Sequence, residues 1–381
     1  MTGWLPTIVV ALPFLSAAVL AVTGSWRIGA WINGGSAGLQ FVVACALTYR
    51  VGGSATNFVL LAAFVAMTTS WSGQRDIAAA LAAGSLSPWR VRLYHVGFQG
   101  VLGAVQAAAL SAGQLPTWFA AVVGVAAAIA LVRAMHDEAA PVAAARLALH
   151  CSIGLLLALL GMLLLGGSGA GGGVFILVGF GALAGLVPLH AWLPAAVAVS
   201  LAPGAVMLAL LADVPLLVFL QLDVDRWMLI GFGLLSLMTV SVTLLAPVDR
   251  LRGVALAAVA QLGIAVFAIG VGAKQAAWQH VALLALARSA VLQSQDSDLL
   301  AWMVFALLPL YALSLVAASA ASVAAWLLAP LGAGVLLLVW VLLQRRPSGM
   351  VTGWHEAAPV WLQLAVFALL AFVLPVRAVI E

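Results

Sequence analysis

The chain has 381 residues, 66% of them hydrophobic and 7% charged, with a formal net charge of +4. Ordinary soluble domains carry roughly a quarter charged residues, so no single water-facing core could bury this much apolar surface, and lipid must act as the solvent. The basic residues are scattered between apolar runs rather than gathered on one face, which excludes a nucleic-acid binder.

The first apolar run lacks a basic leader and reads as a first span rather than a cleavable signal. Apolar runs of about 17–23 residues give about fourteen candidate spans, centred near residues 15, 38, 63, 104, 126, 155, 183, 211, 237, 262, 286, 309, 333 and 369. The predicted fold is therefore all-α, a polytopic membrane helix bundle forming one integral membrane domain over 1–381. The run near 38 is diluted by Trp31, Asn33 and glycines. The stretch 73–93 is polar enough to predict a loop, with a short surface helix from Asp76 to Ala83.

Cys45 and Cys151 each sit inside an apolar run without CxxC spacing, so no zinc, iron–sulfur or disulfide framework is expected. His150 and Cys151 read as packing residues. Between 133 and 146 the chain gathers Arg133, His136, Asp137, Glu138 and Arg146. Adjacent residues project in different directions on a helix, so a solvated loop is favoured over a metal site. The glycine-rich "GGSGAGGG" at 166–173 has no strand before it and no lysine after it, and reads as a turn rather than a phosphate cradle. No metal or cofactor site is expected anywhere in the chain.

Orientation follows the arginines. If spans alternate, one side carries Arg27, Arg75, Arg90, Arg92, Arg133, Arg146, Arg250, Arg252, Arg345 and Arg346, and the other Arg50, Arg226, Lys274 and Arg377. That bias places both termini outside the cytoplasm, which fits a bacterial inner membrane and an even number of spans.

The seventh run contains "GLVPLHAWLP" (185–194). Proline removes a backbone donor and clashes with the preceding turn, so Pro188 and Pro194 should kink or interrupt the helix. Freed backbone groups inside a membrane need partners from neighbouring helices, polar side chains or water, and such broken helices often line ion or substrate paths. "PLHAWLP", followed by Ala202 and Pro203, resembles the signature of the antiporter-like membrane subunits: the ion-translocating subunits of complex I, their relatives in group-four membrane-bound hydrogenases, and the Mrp-type antiporters. "LRGVALAAVAQLG" (251–263), after Asp249 and Arg250, resembles a second family segment. "HVALLALARSAVL" (280–292) resembles a third, with His280 and Arg288 in its histidine and basic places. The resemblance covers residues 115–330, an antiporter-like core, with N-terminal helices over 1–114 and C-terminal helices over 331–381. It implies two inverted five-helix repeats with helices seven and twelve broken, "SAASVAAWLLAPLGAG" (319–334) being the counterpart of broken helix seven.

The family relays protons along buried ionisable stations, and the resemblance implies where these should lie. The helix-five glutamate position falls at or near Val122. The helix-seven lysine, five places before Pro188, falls at Leu183, and the helix-eight lysine at Leu216 or Leu217. The helix-twelve station falls near Ala325 to Leu327. All are apolar here, and the one lysine, Lys274, lies in an expected outer loop. A buried lysine is readily shifted towards neutrality, whereas arginine stays protonated and cannot replace it as a relay.

What remains is Arg288 in span eleven, Asp213 in span eight, His190 and His280. A mid-span arginine should face protein or water. Arg288 is either a modified station of the polar axis or an arginine that snorkels or pairs, for instance with Asp213. Either histidine could pass protons through water or simply be a packed residue. Trp118, Trp192 and Trp326 read as interfacial anchors.

Three functional readings follow. In the first, the chain is an antiporter-like membrane subunit of a larger ion-translocating or redox-linked complex, degenerate in its own path and structural or coupling in role. It is then not catalytic alone, and its partners are other membrane subunits and a peripheral catalytic subunit of a quinone- or ferredoxin-linked oxidoreductase or hydrogenase. In the second it is an active proton- or cation-translocating subunit with a rebuilt path. In the third it is the membrane subunit of an inorganic-carbon uptake complex beside a carbonic-anhydrase-like partner.

Overall fold

Each of the expected run centres falls inside a helix, and among the described residues the seventh run is divided into two. The structure, a computed structural model, describes residues 3–166, 171–222, 224–294, 299–319, 325–344 and 358–380. All fifteen regular elements among them are helices. Ten are long and apolar enough to cross a membrane by length and composition, and the protein is an integral membrane protein.

The chain divides into two compact units. The first comprises Met1–Gly185 and Ala191–Leu222. It holds α1 (Leu5–Val22), α2 (Trp26–Val51), α3 (Ser54–Ala82), α4 (Pro88–Leu110), α5 (Leu115–Arg133), α6 (Ala140–Gly166), α7 (Gly172–Leu183), α8 (Trp192–Ala198) and α9 (Ala202–Gln221). Within it α4 packs against α1, α2, α3, α5 and α9. Proline opens α1, α4, α5 and α9, where the missing N–H would have had no helical partner and the fixed φ already suits the helix.

The second unit comprises Leu186–His190 and Asp223–Glu381. It holds α10 (Arg226–Thr243), α11 (Arg250–Gly270), α12 (Lys274–Gln293), α13 (Leu299–Ser319), α14 (Ala325–Gln344) and α15 (Ala358–Ile380). Here α12 contacts α11, α13 and α15. The helices α10 and α11 approach so closely at Gly233 that a Cβ there would stand 2.5 Å from the carbonyl of Gly263. Small residues at membrane helix crossings allow this backbone proximity, and van der Waals packing then holds the pair.

One expectation is corrected. The stretch 73–93 is mostly helical: α3 continues to Ala82, α4 begins at Pro88, and only a short connection separates them. Burial of one face explains this. Thr69, Gly73 and Ile77 recur at helical spacing and are buried, while Arg75 is exposed and Asp76 only partly so. A Cβ at Gly73 would meet the ring of Pro203 on α9 at 2.5 Å, so the polar end of α3 is held by tertiary packing rather than left as loop.

His136, Asp137 and Glu138 are exposed in the connection between α5 and α6, where Asp137 accepts from the amide of Ala139 at 2.7 Å. Residues 167–170 of the glycine-rich turn, 320–324 of the stretch expected to mirror broken helix seven, Arg345, Arg346 and the side chain of Trp326 lie outside the described residues.

Candidate functional site

The broken seventh span is built from α7, α8 and the non-helical residues 184–191 between them. The helix α7 ends in a left-handed glycine, Gly185, at φ 68°. Its amide donates back to the carbonyl of Ala182 at 3.1 Å, and the Ala184 amide donates to Phe180 at 2.9 Å. This is how helices commonly close their last turn, since glycine reaches that conformation without a Cβ clash. The Val187–Pro188 peptide bond is cis.

Two backbone groups at the break have side-chain partners. The indole Nε1 of Trp192 donates to the carbonyl of Ala182 at 2.8 Å. The amide of Val187 donates to Ser236 Oγ on α10 at 3.1 Å. Trp192 is fully buried, so its expected role as an interfacial anchor is corrected. Its ring fills the interior because its one donor has an internal acceptor there. Trp118 also uses its Nε1, donating to the carbonyl of Leu155 at 2.7 Å.

The three prolines divide their labour. Pro188 lies in the non-helical link and is exposed, whereas Pro194 sits in the first turn of α8 and Pro203 in that of α9. First-turn positions tolerate proline, so Pro194 and Pro203 start helices and the interruption itself belongs to residues 184–191.

The positions matched to family stations are apolar and mostly interior. Leu183 closes α7 and is fully buried, Leu217 is buried on α9, and Leu327 is buried on α14. Val122 on α5 differs, being 36% exposed on the outside of its unit. Lys274 is exposed at the start of α12.

The polar groups of the second unit gather on α11 and α12. His280 and Arg288 share α12 and are 1% and 2% exposed. Eight residues separate them, a rise of about 12 Å. The Nε2 of His280 lies 3.1 Å from the carbonyl of Gln261 on α11, and since a carbonyl only accepts, that nitrogen carries the hydrogen. The Gln261 amide in turn donates to the carbonyl of Phe305 on α13 at 3.4 Å. Further along α12, Gln293 donates to Ser289 Oγ at 2.8 Å and to Gln363 Oε1 of α15 at 3.3 Å. His190 is partly buried in the link, and Asp213 is fully buried on α9. His190, Asp213 and Arg288 each take part in a polar or electrostatic interaction.

No family profile matches the chain. A curated relative, a hydrogenase-4 component F homolog of Methylacidiphilum infernorum (isolate V4), is 27% identical over 334 residues, covering 74% of this chain and 70% of the relative. A chain of respiratory complex I from Thermus thermophilus superposes with a TM-score of 0.78 at 20% identity, over 96% of this chain and 98% of that one. A chain of the membrane-bound sulfane sulfur reductase, an archaeal respiratory membrane complex, gives 0.78 at 16% identity, over 96% and 94%. One from the Mrp complex of Dietzia sp. DQ12-45-1b gives 0.72 at 14%, over 92% and 80%.

The chain shares the fold of these chains from membrane complexes. The likeness covers nearly its whole length, including the N-terminal helices that lie outside residues 115–330. Sequence reading found His280 and Arg288 but missed Gln261, whose carbonyl meets His280 between α11 and α12, Gln293, which donates to Gln363 of α15, and Ser236, which accepts from the Val187 amide. Gln261 and Gln293 showed only as glutamines inside otherwise apolar helices, which gives no direction for the side chain, and Ser236 gave no signal.

Proposed function

We propose that this chain is a membrane subunit of a larger ion-translocating or redox-linked complex that has given up the lysine relay of its own half of the path and serves structure and coupling. The observation carrying this reading is the bend without its charge: the break at 184–191 is held by the Trp192–Ala182 and Val187–Ser236 hydrogen bonds while Leu183 beside it is fully buried and apolar. A relay needs groups that gain and lose protons, and leucine has none. The relatives belong, by their descriptions, to complex I, a sulfane sulfur reductase complex, an Mrp complex and a hydrogenase component. That company supports other membrane subunits and a peripheral catalytic subunit as partners, with this chain not catalytic alone. The arginine bias supports a bacterial inner membrane with both termini on the non-cytoplasmic side.

The test is reconstitution of the chain alone in liposomes. The expected outcome is no cation-driven proton flux, together with copurification of further subunits from native membranes. Robust flux abolished by Arg288→Ala would overturn the reading and favour a rebuilt path. That second reading has its own support in the buried Gln261–His280 pair and in Arg288 on the same helix as His280.

A further inference from the structure

The first unit contains a polar seam that the reading above does not use. On α4, His95, Gln99 and Gln106 lie within about 40° of one another around the helix and span about 16 Å of its length. All three are at most 2% exposed. Asn33, Ser36 and Gln40 recur at helical spacing on α2. Gln99 sits at the midpoint of α4, eleven residues from Pro88 (99 − 88 = 11) and eleven from Leu110 (110 − 99 = 11).

At that midpoint the amides are locked together. Gln99 Nε2 donates to Asn33 Oδ1 at 2.9 Å and to the Asn33 carbonyl at 3.2 Å. Gln40 Nε2 donates to Gln99 Oε1 at 2.8 Å and to Ser36 Oγ at 3.0 Å. Ser36 pairs with Ser16 of α1 at 2.5 Å, and Ser16 donates to the Leu12 carbonyl at 2.8 Å. Three helices are thereby joined by one hydrogen-bonded clamp.

On either side of the clamp the same face of α4 presents buried polar groups with no hydrogen-bond partner among the described residues. They are both ring nitrogens of His95 and both amide atoms of Gln106; Gln40 also leaves its Oε1 unbonded at the clamp. Native proteins leave few such groups, and those found usually bind ordered water or an ion. The chemistry here selects water. A neutral imidazole and a carboxamide each offer a donor and an acceptor, which water matches. A bare cation would face the N–H groups, and an anion the lone pairs. Gly29 of α2 stands beside the imidazole, where a Cβ would be in contact with His95 Cδ2 at 3.4 Å.

We propose that the N-terminal helices hold two aqueous inlets that enter the α4 seam from its opposite ends, reach His95 and Gln106, and are kept apart by the dry Asn33–Gln99–Gln40 clamp. The His95 inlet opens at the ends of α2 and α4 that carry Arg27, Arg90 and Arg92. The Gln106 inlet opens at the Leu110 end. The clamp blocks passage between them because its amides are bonded to each other and do not titrate.

The experiment uses the full-length protein in lipid nanodiscs. In D2O, exchange of the imidazole C2 hydrogen, read residue by residue by mass spectrometry, reports water at the ring. Exchange is expected at His95 as it is at exposed His136, with loss of the His95 signal alone in Gly29→Leu. No exchange at His95 while His136 exchanges overturns the proposal, whether or not Gly29→Leu folds. In a Cys45→Ala, Cys151→Ala background, Gln106→Cys is expected to react with a small charged methanethiosulfonate. Val101→Cys, equally buried on another face of α4, is expected to stay unreacted. Equal silence at both positions overturns the second inlet.

Discussion

The indole of Trp192 reaches back across the broken span to the carbonyl of Ala182, at 2.8 Å, and so closes the end of one half-helix with the first residue of the next. Gly185 donates to the same carbonyl, so the acceptor keeps one partner when the indole is removed. Trp192→Phe should therefore lower stability by about 1 kcal/mol, the net worth of one hydrogen bond. Trp192→Ala should cost about 3–5 kcal/mol by emptying a fully buried site. Thermal unfolding of the two variants in one detergent checks the order; equal losses would show that only volume matters there.

Arg250 ties α11 to the far end of α12. Its guanidinium donates to the carbonyls of Val291 and Ser294, each at 2.8 Å, and to Ser294 Oγ at 2.9 Å. The last carbonyls of a helix lack internal partners, and a positive charge there also opposes the helix dipole. Arg250→Met keeps most of the stem but removes the donors, and should cost about 1.5–3 kcal/mol, the range for hydrogen bonds to charged groups. Arg250→Lys should recover only part of this, because all three acceptors are met by one nitrogen, Nη2, and the shorter lysine stem does not bring its ammonium to that point. Urea titration of the three proteins distinguishes the donors from the charge.

Asp249 shows a different use of its neighbourhood. Its carboxylate accepts from the Arg252 amide at 2.8 Å and lies 3.6 Å from Arg252 Nε, with both side chains about half exposed. An exposed pair contributes little, whereas an N-cap side chain is worth about 1 kcal/mol. Asp249→Asn should be close to neutral, Asp249→Ala should cost about 1 kcal/mol, and Arg252→Gln should change little. A loss in Arg252→Gln matching that of Asp249→Ala would reverse the assignment.

Most of the architecture was legible because it follows from composition and periodicity. Runs of apolar residues long enough to span lipid became helices, and Pro188 marked the break in the seventh run. The extent of α3 was not legible. Its polar end is helical because Gly73 and Ile77 pack inward, with Gly73 against Pro203, a partner far away in sequence. The site was half visible. His280 and Arg288 declared themselves by type within grease, but the contact of His280 with the Gln261 carbonyl depends on how α11 and α12 are placed. Trp192 misled for a related reason: tryptophan suits a membrane interface, and only the freed Ala182 carbonyl explains its burial. The α4 seam left a trace in the spacing of His95, Gln99 and Gln106, although nothing in that spacing identifies Asn33 and Gln40 as the partners of Gln99.

Two glycines of α10, two residues apart, should respond in opposite ways to the same change. Gly231 is exposed and a Cβ there would meet nothing within 4 Å, whereas one at Gly233 would stand 2.5 Å from the Gly263 carbonyl and 2.6 Å from the Phe267 amide nitrogen. The nearby atoms at Gly233 belong to the backbone of α11 and cannot rotate away, so a methyl group must push the two helices apart. That separation removes dispersion contacts along the crossing, which are lost steeply with distance, and packing of small residues is what holds such helices in lipid. Gly231→Ala should instead stabilise α10 by about 0.5–1 kcal/mol through helix propensity alone. The midpoint of thermal unfolding is therefore expected to rise in Gly231→Ala and fall in Gly233→Ala. Gly263→Ala, whose Cβ would stand 2.7 Å from the Gly233 carbonyl, should follow Gly233→Ala. A rise in all three would mean that propensity, and not close approach, governs the α10–α11 crossing.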